Sequence, residues 1–132
     1  MELNISKILE EIEKDVLIDE LNLKEVQFKL PALKHKYVGL LVRTKITLAE
    51  KQKELELHRK TVIDQIKEKS QVRLAPNTLT ETANEVNSVK KIKEDIIQLE
   101  LLITLLEKTE KTLSSMTYDI KNIIEIQKLE TT

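Results

Sequence analysis

Apolar residues in the second half of the chain recur at alternating spacings of three and four, as in the seam of a left-handed coiled coil. The seam positions are Val89, Ile92, Ile96, Leu99, Ile103 and Leu106, and the seam resumes at Leu113, Ile120 and Ile124 after Glu110 and Thr117 weaken it. The apolar residues that run alongside are Leu102, Leu105, Met116 and Ile123. The pattern predicts one long helix over residues 81–129, with Thr78 or Thr80 as its N-cap.

The preceding segment, residues 32–69, has a weaker pattern that still indicates a long helix. Its apolar heptad positions are Leu41, Leu48, Leu55 and Val62. The positions three further along are all polar, namely Thr44, Lys51, His58 and Gln65. We therefore expect weak burial between residues 49 and 61. Residues 71–80 form a loop around Pro76, so the two long helices should fold back as an antiparallel hairpin.

Two short helices are predicted within residues 1–30. Ser6 is a candidate N-cap for the first helix and Asp19 for the second. Pro31 should end the second helix, because the residue before a proline avoids helical geometry. Proline is favoured in the first turn of a helix, so Pro31 should also begin the long helix that follows.

The apolar stripe of the C-terminal helix is too wide to be covered by a single partner helix. Either a three- or four-helix bundle within one chain or association between copies would cover it. The shortness of the two N-terminal helices favours association. The residues predicted to hold copies together are Leu113, Met116, Ile120, Ile123 and Ile124.

Composition agrees with an elongated, all-α protein of one domain over residues 1–132. The chain has one glycine, two prolines and 34% charged residues, as in long helices and coiled coils. Aromatic residues make up only 2%, whereas compact cores usually contain several large rings.

Charge is segregated along the chain although the net charge is only −1. Residues 1–25 carry eight acids and three lysines, a net charge of −5. Residues 26–60 carry nine bases and three acids, a net charge of +6. Such asymmetry indicates either a polyanionic partner or acidic and basic segments that meet in an assembly.

The densest basic group lies in the third predicted helix, where Lys53, Lys60 and Lys67 are seven residues apart and share one face. One interpretation is a solvated face in which Glu56 pairs with Lys60. The other is phosphate binding, which would be electrostatic and steeply salt-dependent, because no aromatic residue lies nearby for base stacking. The candidate DNA-binding residues are Lys51, Lys53, His58, Arg59, Lys60 and Lys67.

The sequence carries no signature of an enzyme. It has no glycine-rich phosphate loop, no Gly-x-Ser-x-Gly motif, no metal-binding spacing and no cysteine. We therefore expect no catalytic residue, no cofactor and no metal ion. The most apolar stretch, residues 96–106, is about half a membrane span in length and includes Glu100, so no membrane partner is expected.

The first half of the chain resembles a known family. The stretch "EEIEKDVLIDELNLKEVQFKLPALKHKYVGL" is similar to the N-terminal signature of the phage recombination mediator proteins, the UvsY family. Helix periodicity does not produce the irregular spacing of the matching residues, which are Lys14, Asp15, Val16, Ile18, Asp19, Leu23, Glu25, Pro31, Leu33, Lys36, Tyr37 and Leu40. The resemblance continues through "LELHRK", returns at "SSMTYDIKNIIEIQKL", and covers most of the chain except about residues 68–86.

This resemblance implies a non-enzymatic function in DNA recombination, repair and replication. Members of the family are small helical proteins that bind single-stranded DNA and assemble into rings of roughly six or seven subunits. They help to load the phage's RecA-like recombinase onto DNA coated by its single-strand-binding protein, in the cytoplasm of the infected bacterial host. The competing hypothesis is a structural helical adaptor that binds no nucleic acid.

The family's DNA-contacting motif, Leu-Lys-x-Arg, falls on Leu57, His58, Arg59 and Lys60. Lys60 takes the arginine place and His58 the lysine place. The histidine is a departure, because an unperturbed imidazole is mostly neutral near physiological pH. Arg59 would supply the missing charge one position along.

Overall fold

The computed structural model describes residues 4–19 and 21–131. The helices are α1, Ile5–Asp15; α2, Leu23–Lys69; α3, Pro76–Asn84; and α4, Asn87–Glu130. No strand occurs in the described residues. The predicted all-α fold is therefore confirmed.

The chain divides into two compact units. Unit 1 consists of Met1–Arg43 and Leu102–Thr132, and unit 2 consists of Thr44–Leu101. Helices α2 and α4 each contribute residues to both units.

The core of unit 1 is formed by α1, the first half of α2 and the second half of α4. Its buried residues are Ile12, Leu23, Val26, Leu30, Tyr37, Leu41, Leu102, Leu106, Leu113, Met116 and Ile120. Burying each such aliphatic side chain contributes about 1.5–3 kcal/mol. The expectation that the N-terminal segment is too short to cover the apolar stripe is wrong for Leu102–Ile120, because α1 and the start of α2 cover it from within the chain.

The start of α1 differs from the prediction by two residues. The side chain of Asn4 accepts a hydrogen bond from the backbone N–H of Lys7 at 3.0 Å, so Asn4 is the N-cap and Ser6 lies inside the helix. Asparagine caps a helix as well as serine does, since either side-chain oxygen reaches the free N–H groups of the first turn.

Asp19 organises the turn before α2 instead of capping a separate short helix. Its Oδ1 accepts hydrogen bonds from the backbone N–H groups of Leu21 at 2.8 Å and Asn22 at 2.9 Å. The helix begins after this turn, at Leu23.

Pro31 does not divide the second helix from the third, because α2 runs through it without a break. Proline removes one helical hydrogen bond and costs about 3 kcal/mol in a helix interior. The cost is offset here by burial on both sides, since Leu30 is 5% and Tyr37 is 1% exposed. Pro31 itself lies on the exposed side of the helix.

Unit 2 has a small apolar core of Val62, Ala83 and Val89. Ala83 belongs to α3. The sequence pattern did not separate this helix from the long C-terminal helix. Pro76 occupies the first turn of α3, and Ala75 is the N-cap. A proline fits that position without cost, so the helix starts before Thr78, the earlier of the two predicted N-caps.

The turn between α3 and α4 is closed by short-range hydrogen bonds. The N–H of Glu85 bonds to the carbonyl of Thr82, and the N–H of Val86 bonds to the carbonyl of Ala83, each at 3.1 Å. These i to i−3 bonds tighten the chain and end α3. Thr80 lies inside α3, where its hydroxyl donates to the carbonyl of Pro76 at 3.1 Å.

None of the four helices, as far as the structure describes them, has a window long and apolar enough to cross a membrane.

Candidate nucleic-acid interface

Two of the polar heptad positions of α2, Lys51 and His58, contact α4. Nζ of Lys51 lies 3.7 Å from Oδ2 of Asp95, and Nε2 of His58 lies 2.7 Å from Oγ of Ser88. The later residue of α2, His58, contacts the earlier residue of α4, Ser88, so the two helices are antiparallel in this unit, as predicted. An ion pair and a hydrogen bond therefore join the two helices at these polar positions of the seam.

Burial along this part of α2 is weak, as the half-polar seam predicts. Thr44 is 2% exposed and Val62 is 5% exposed, and none of residues 45–61, all of which are described, is buried between them. The helix is thus open to solvent over about four and a half turns.

The outward face of α2 carries the row of lysines. Lys53, Lys60 and Lys67 are all exposed, and none of them makes an ion pair with any residue that the structure describes. The expected pair between Glu56 and Lys60 does not form. Seven helical residues rise about 10 Å, so three uncompensated charges are spaced along roughly 20 Å of helix. We call Lys53, Lys60 and Lys67 the lysine row.

Arg59 lies beside the lysine row and is half-buried. Its Nε is buried and has no hydrogen-bond partner among the described residues. Leaving such a donor unpaired costs about 1–3 kcal/mol. No described carboxylate neutralises its charge.

Lys51 and His58, two other predicted DNA-binding residues, already have partners in the chain. Lys51 contacts Glu54 at 3.1 Å in addition to Asp95. A lysine that lies between two carboxylates presents less positive potential to an incoming phosphate. The structure brings Lys53, Arg59, Lys60 and Lys67 together as charges without a described partner, and it places Lys51 and His58 in the seam. The DNA contacts of all six stay predictions.

The residues predicted to join copies lie mostly inside unit 1. Leu113 is fully buried, and Met116 and Ile120 are each 2% exposed within the chain itself. Ile123 and Ile124 are half-buried against the same core. These first three side chains belong to the protomer's own core, and their part in joining copies stays a prediction. For Ile123 and Ile124 the prediction stays open.

A polar network in unit 1 was not foreseen from the sequence. Asp15 at the end of α1 accepts a hydrogen bond from the Tyr37 hydroxyl at 2.6 Å and another from Lys36 Nζ at 2.8 Å. Lys36 also pairs with Glu11 on α1. The signal was present, because Asp15, Lys36 and Tyr37 all belong to the irregularly spaced signature.

The network shifts the pKa values of its members. Burial alone would raise the pKa of Asp15, but hydrogen bonds from Lys36 and Tyr37 and the charge of Lys36 lower it below its ordinary value. Burial would lower the pKa of Lys36, but its bonds to Asp15 and Glu11 raise it. Burial raises the pKa of Tyr37, and the bond to Asp15 raises it further. The network is therefore a carboxylate, an ammonium and a neutral phenol at neutral pH.

The described residues contain no group of three or more His, Asp or Glu side chains that could hold a metal ion. The lysine row and Arg59 place positive charges on one helix. The chain is thus an all-α protein with a row of exposed positive charges on α2.

The chain belongs to the UvsY family. The family model, described as "Recombination, repair and ssDNA binding protein UvsY", matches residues 11–132. No curated protein sequence matches the chain.

The fold is also that of solved structures. The chain is similar to crystal structures of the recombination mediator protein UvsY of bacteriophage T4 in three lattice forms. Lattice type IV matches with a TM-score of 0.84 and 18% identity over 97% of this chain and 99% of that chain. Lattice type II matches with a TM-score of 0.83 and 16% identity over 99% of this chain and 100% of that chain. Lattice type I matches with a TM-score of 0.82 and 18% identity over 94% of this chain and 98% of that chain. At this identity the likeness shows a shared fold.

Proposed function

We propose that this protein is a single-stranded DNA-binding recombination mediator. The observation that carries the proposal is the lysine row together with Arg59, four charges on one helix without a described acidic partner. The family, whose description includes single-stranded DNA binding, supports DNA as the polyanion. The phosphate backbone is the ligand that such a surface recognises, and the binding is independent of base sequence.

A single copy of this face makes few phosphate contacts and binds weakly. Several copies in one assembly bind the same strand far more tightly, since the second and later contacts are intramolecular. The proposal therefore includes a ring of several subunits, as the family resemblance implies. Because Leu113, Met116 and Ile120 are buried within the chain, we propose that exposed surfaces and the half-buried Ile123 and Ile124 make the subunit contacts.

The mediator role follows from competition between DNA complexes. Strand held across the lysine rows of several subunits is less available to the single-strand-binding protein, which then dissociates locally. A RecA-like recombinase would nucleate on the released strand, helped by direct contact with the mediator. Glu10 and Glu13 on α1 are exposed and are candidates for that contact by charge. The protein performs no covalent step and needs no cofactor, and its place of action is the cytoplasm of the infected bacterium.

The test is fluorescence anisotropy of a labelled single-stranded oligonucleotide with the parent and with Arg59→Ala/Lys60→Ala. The matched control is Lys121→Ala/Lys128→Ala, which removes two exposed positive charges from α4 in unit 1. We expect the first variant to bind more weakly and with a shallower salt dependence, and the control to bind like the parent. If the parent does not bind at low salt, the adaptor hypothesis replaces this proposal.

A further inference from the structure

A cleft lies in unit 2 where α2 ends and the chain leads into α3. Its volume is about 510 Å³, within the range of roughly 300–1,000 Å³ of small-molecule sites. Its wall includes two cationic residues, Lys67 and Arg73, and three apolar ones, Val72, Leu74 and Leu79. None of the described residues that line it is acidic. The cleft therefore combines positive charge with an apolar surface.

Both charges are available to a ligand. Lys67 and Arg73 are exposed, and neither forms an ion pair with a residue in the described part of the chain. Lys67 is also the last member of the lysine row. The cleft is thus continuous with the proposed DNA-binding face and lies about 10 Å beyond Lys60 along α2.

A turn closed by Ser70 and Val72 lies in the wall of the cleft. The hydroxyl of Ser70 donates to the carbonyl of Val72 at 2.7 Å and accepts from its N–H at 3.3 Å. Val72 is 70% exposed, whereas Leu79, which also lines the cleft, is 6% exposed. An exposed valine on a fixed turn beside two cations offers a surface for the flat face of a base.

We propose that this cleft holds one nucleotide of the bound strand, with its phosphate against Lys67 and Arg73 and its base against Val72 and Leu74. The inference rests on the proposed function, because it takes single-stranded DNA as the ligand. It adds a site for the base to a surface that otherwise recognises only phosphates. A strand that crosses the lysine row enters the cleft at Lys67.

The test compares an oligothymidylate with an abasic oligomer that has the same number of phosphates, by anisotropy, on Arg73→Ala and Val72→Ser. Arg73→Ala should weaken the binding of both ligands by a similar factor and make the salt slope shallower by about 0.7. Val72→Ser should weaken oligothymidylate binding about threefold or more, since it removes apolar contact, and leave abasic binding unchanged. Leu129→Ser, at a residue 75% exposed in unit 1, is the control and should change neither.

The outcomes separate this inference from the proposed function. If Arg59→Ala/Lys60→Ala weakens binding while Arg73→Ala and Val72→Ser do not, the nucleotide site is overturned and the lysine row stands. If Val72→Ser weakens binding of both ligands equally, the cleft does not hold a base and the inference fails. If the parent binds neither oligomer at low salt, the proposed function itself fails.

Discussion

The hydroxyl of Tyr37 donates a 2.6 Å hydrogen bond to Oδ2 of Asp15 and so ties helix α1 to helix α2. Tyr37 is only 1% exposed, which makes this a partly buried bond to a charged acceptor. Such bonds are stronger than neutral ones. The link fixes α1 over the apolar stripe of α4, where Ile12 joins the core. Asp15 and Tyr37, two residues of the irregularly spaced signature, thus stabilise the packing of α1.

Replacing Tyr37 by phenylalanine should lower the free energy of unfolding by about 1–3 kcal/mol, because the carboxylate of Asp15 loses its buried donor. The control is Tyr118→Phe, at a ring that is 71% exposed. Urea denaturation followed by circular dichroism measures both variants. Equal stabilities of the two variants would show that the bond contributes nothing.

Stability should fall in acid partly through Asp15. Its pKa is lowered in the folded protein, mainly because hydrogen bonds from Lys36 and Tyr37 outweigh the effect of burial. Its contribution is therefore complete above the unfolded pKa of about 3.9 and is lost as the pH falls through the folded value. Asp15→Asn should flatten the decrease in unfolding free energy between about pH 5 and pH 2. Urea titrations at several pH values measure this decrease, with Asp119→Asn, at an exposed residue, as the control. If the unfolding free energies of both variants fall in parallel with that of the parent, the prediction is wrong.

Leu113 should behave as a core residue of the protomer. Leu113→Ala should lower the free energy of unfolding by about 2–5 kcal/mol, because it leaves a cavity in unit 1. Leu129→Ala, at a 75% exposed position, should have little effect. The loss at Leu113 should not depend on protein concentration. A loss that disappears at high concentration would instead place Leu113 between subunits.

Lys60 and Lys51 should differ in their effect on DNA binding although both are lysines of the basic segment. Lys60 has no described partner, so Lys60→Ala should make the logarithmic salt slope shallower by about 0.7, the value for one phosphate contact on a single strand. Lys51 is held by Glu54 and Asp95, so Lys51→Ala should change the slope less. Anisotropy titrations over a range of salt concentrations measure both slopes. A larger effect at Lys51 would contradict the assignment of the outward face.

The helical content and the antiparallel pairing in unit 2 could be predicted because both follow from periodicity. The sequence predicted the wide apolar stripe on α4. It did not predict that α1 and the start of α2 would cover part of that stripe within the chain. The breaking effect of Pro31 was overestimated, since a local preference of about 3 kcal/mol is outweighed by burial on both sides. Once α2 runs through Pro31, the N-terminal segment is long enough to cover α4 within one chain.

The candidate site was predictable in its charges but not in their pairing. Spacing placed Lys53, Lys60 and Lys67 on one face, and the structure confirms that all three are exposed. Spacing did not show that Lys51 and His58 would reach across to Asp95 and Ser88, because those partners are thirty or more residues away. Contacts between distant segments depend on the register of the hairpin, which no local pattern specifies.

The most direct test of the central claim is the salt dependence of single-stranded DNA binding by the parent and by Lys53→Ala/Lys60→Ala/Lys67→Ala. The account predicts tight binding by the parent at low salt and a logarithmic slope about 2 units shallower in the triple variant, since three phosphate contacts are lost. An unchanged slope and affinity in the triple variant would show that the lysine row is a solvated surface and that DNA, if bound, is bound elsewhere.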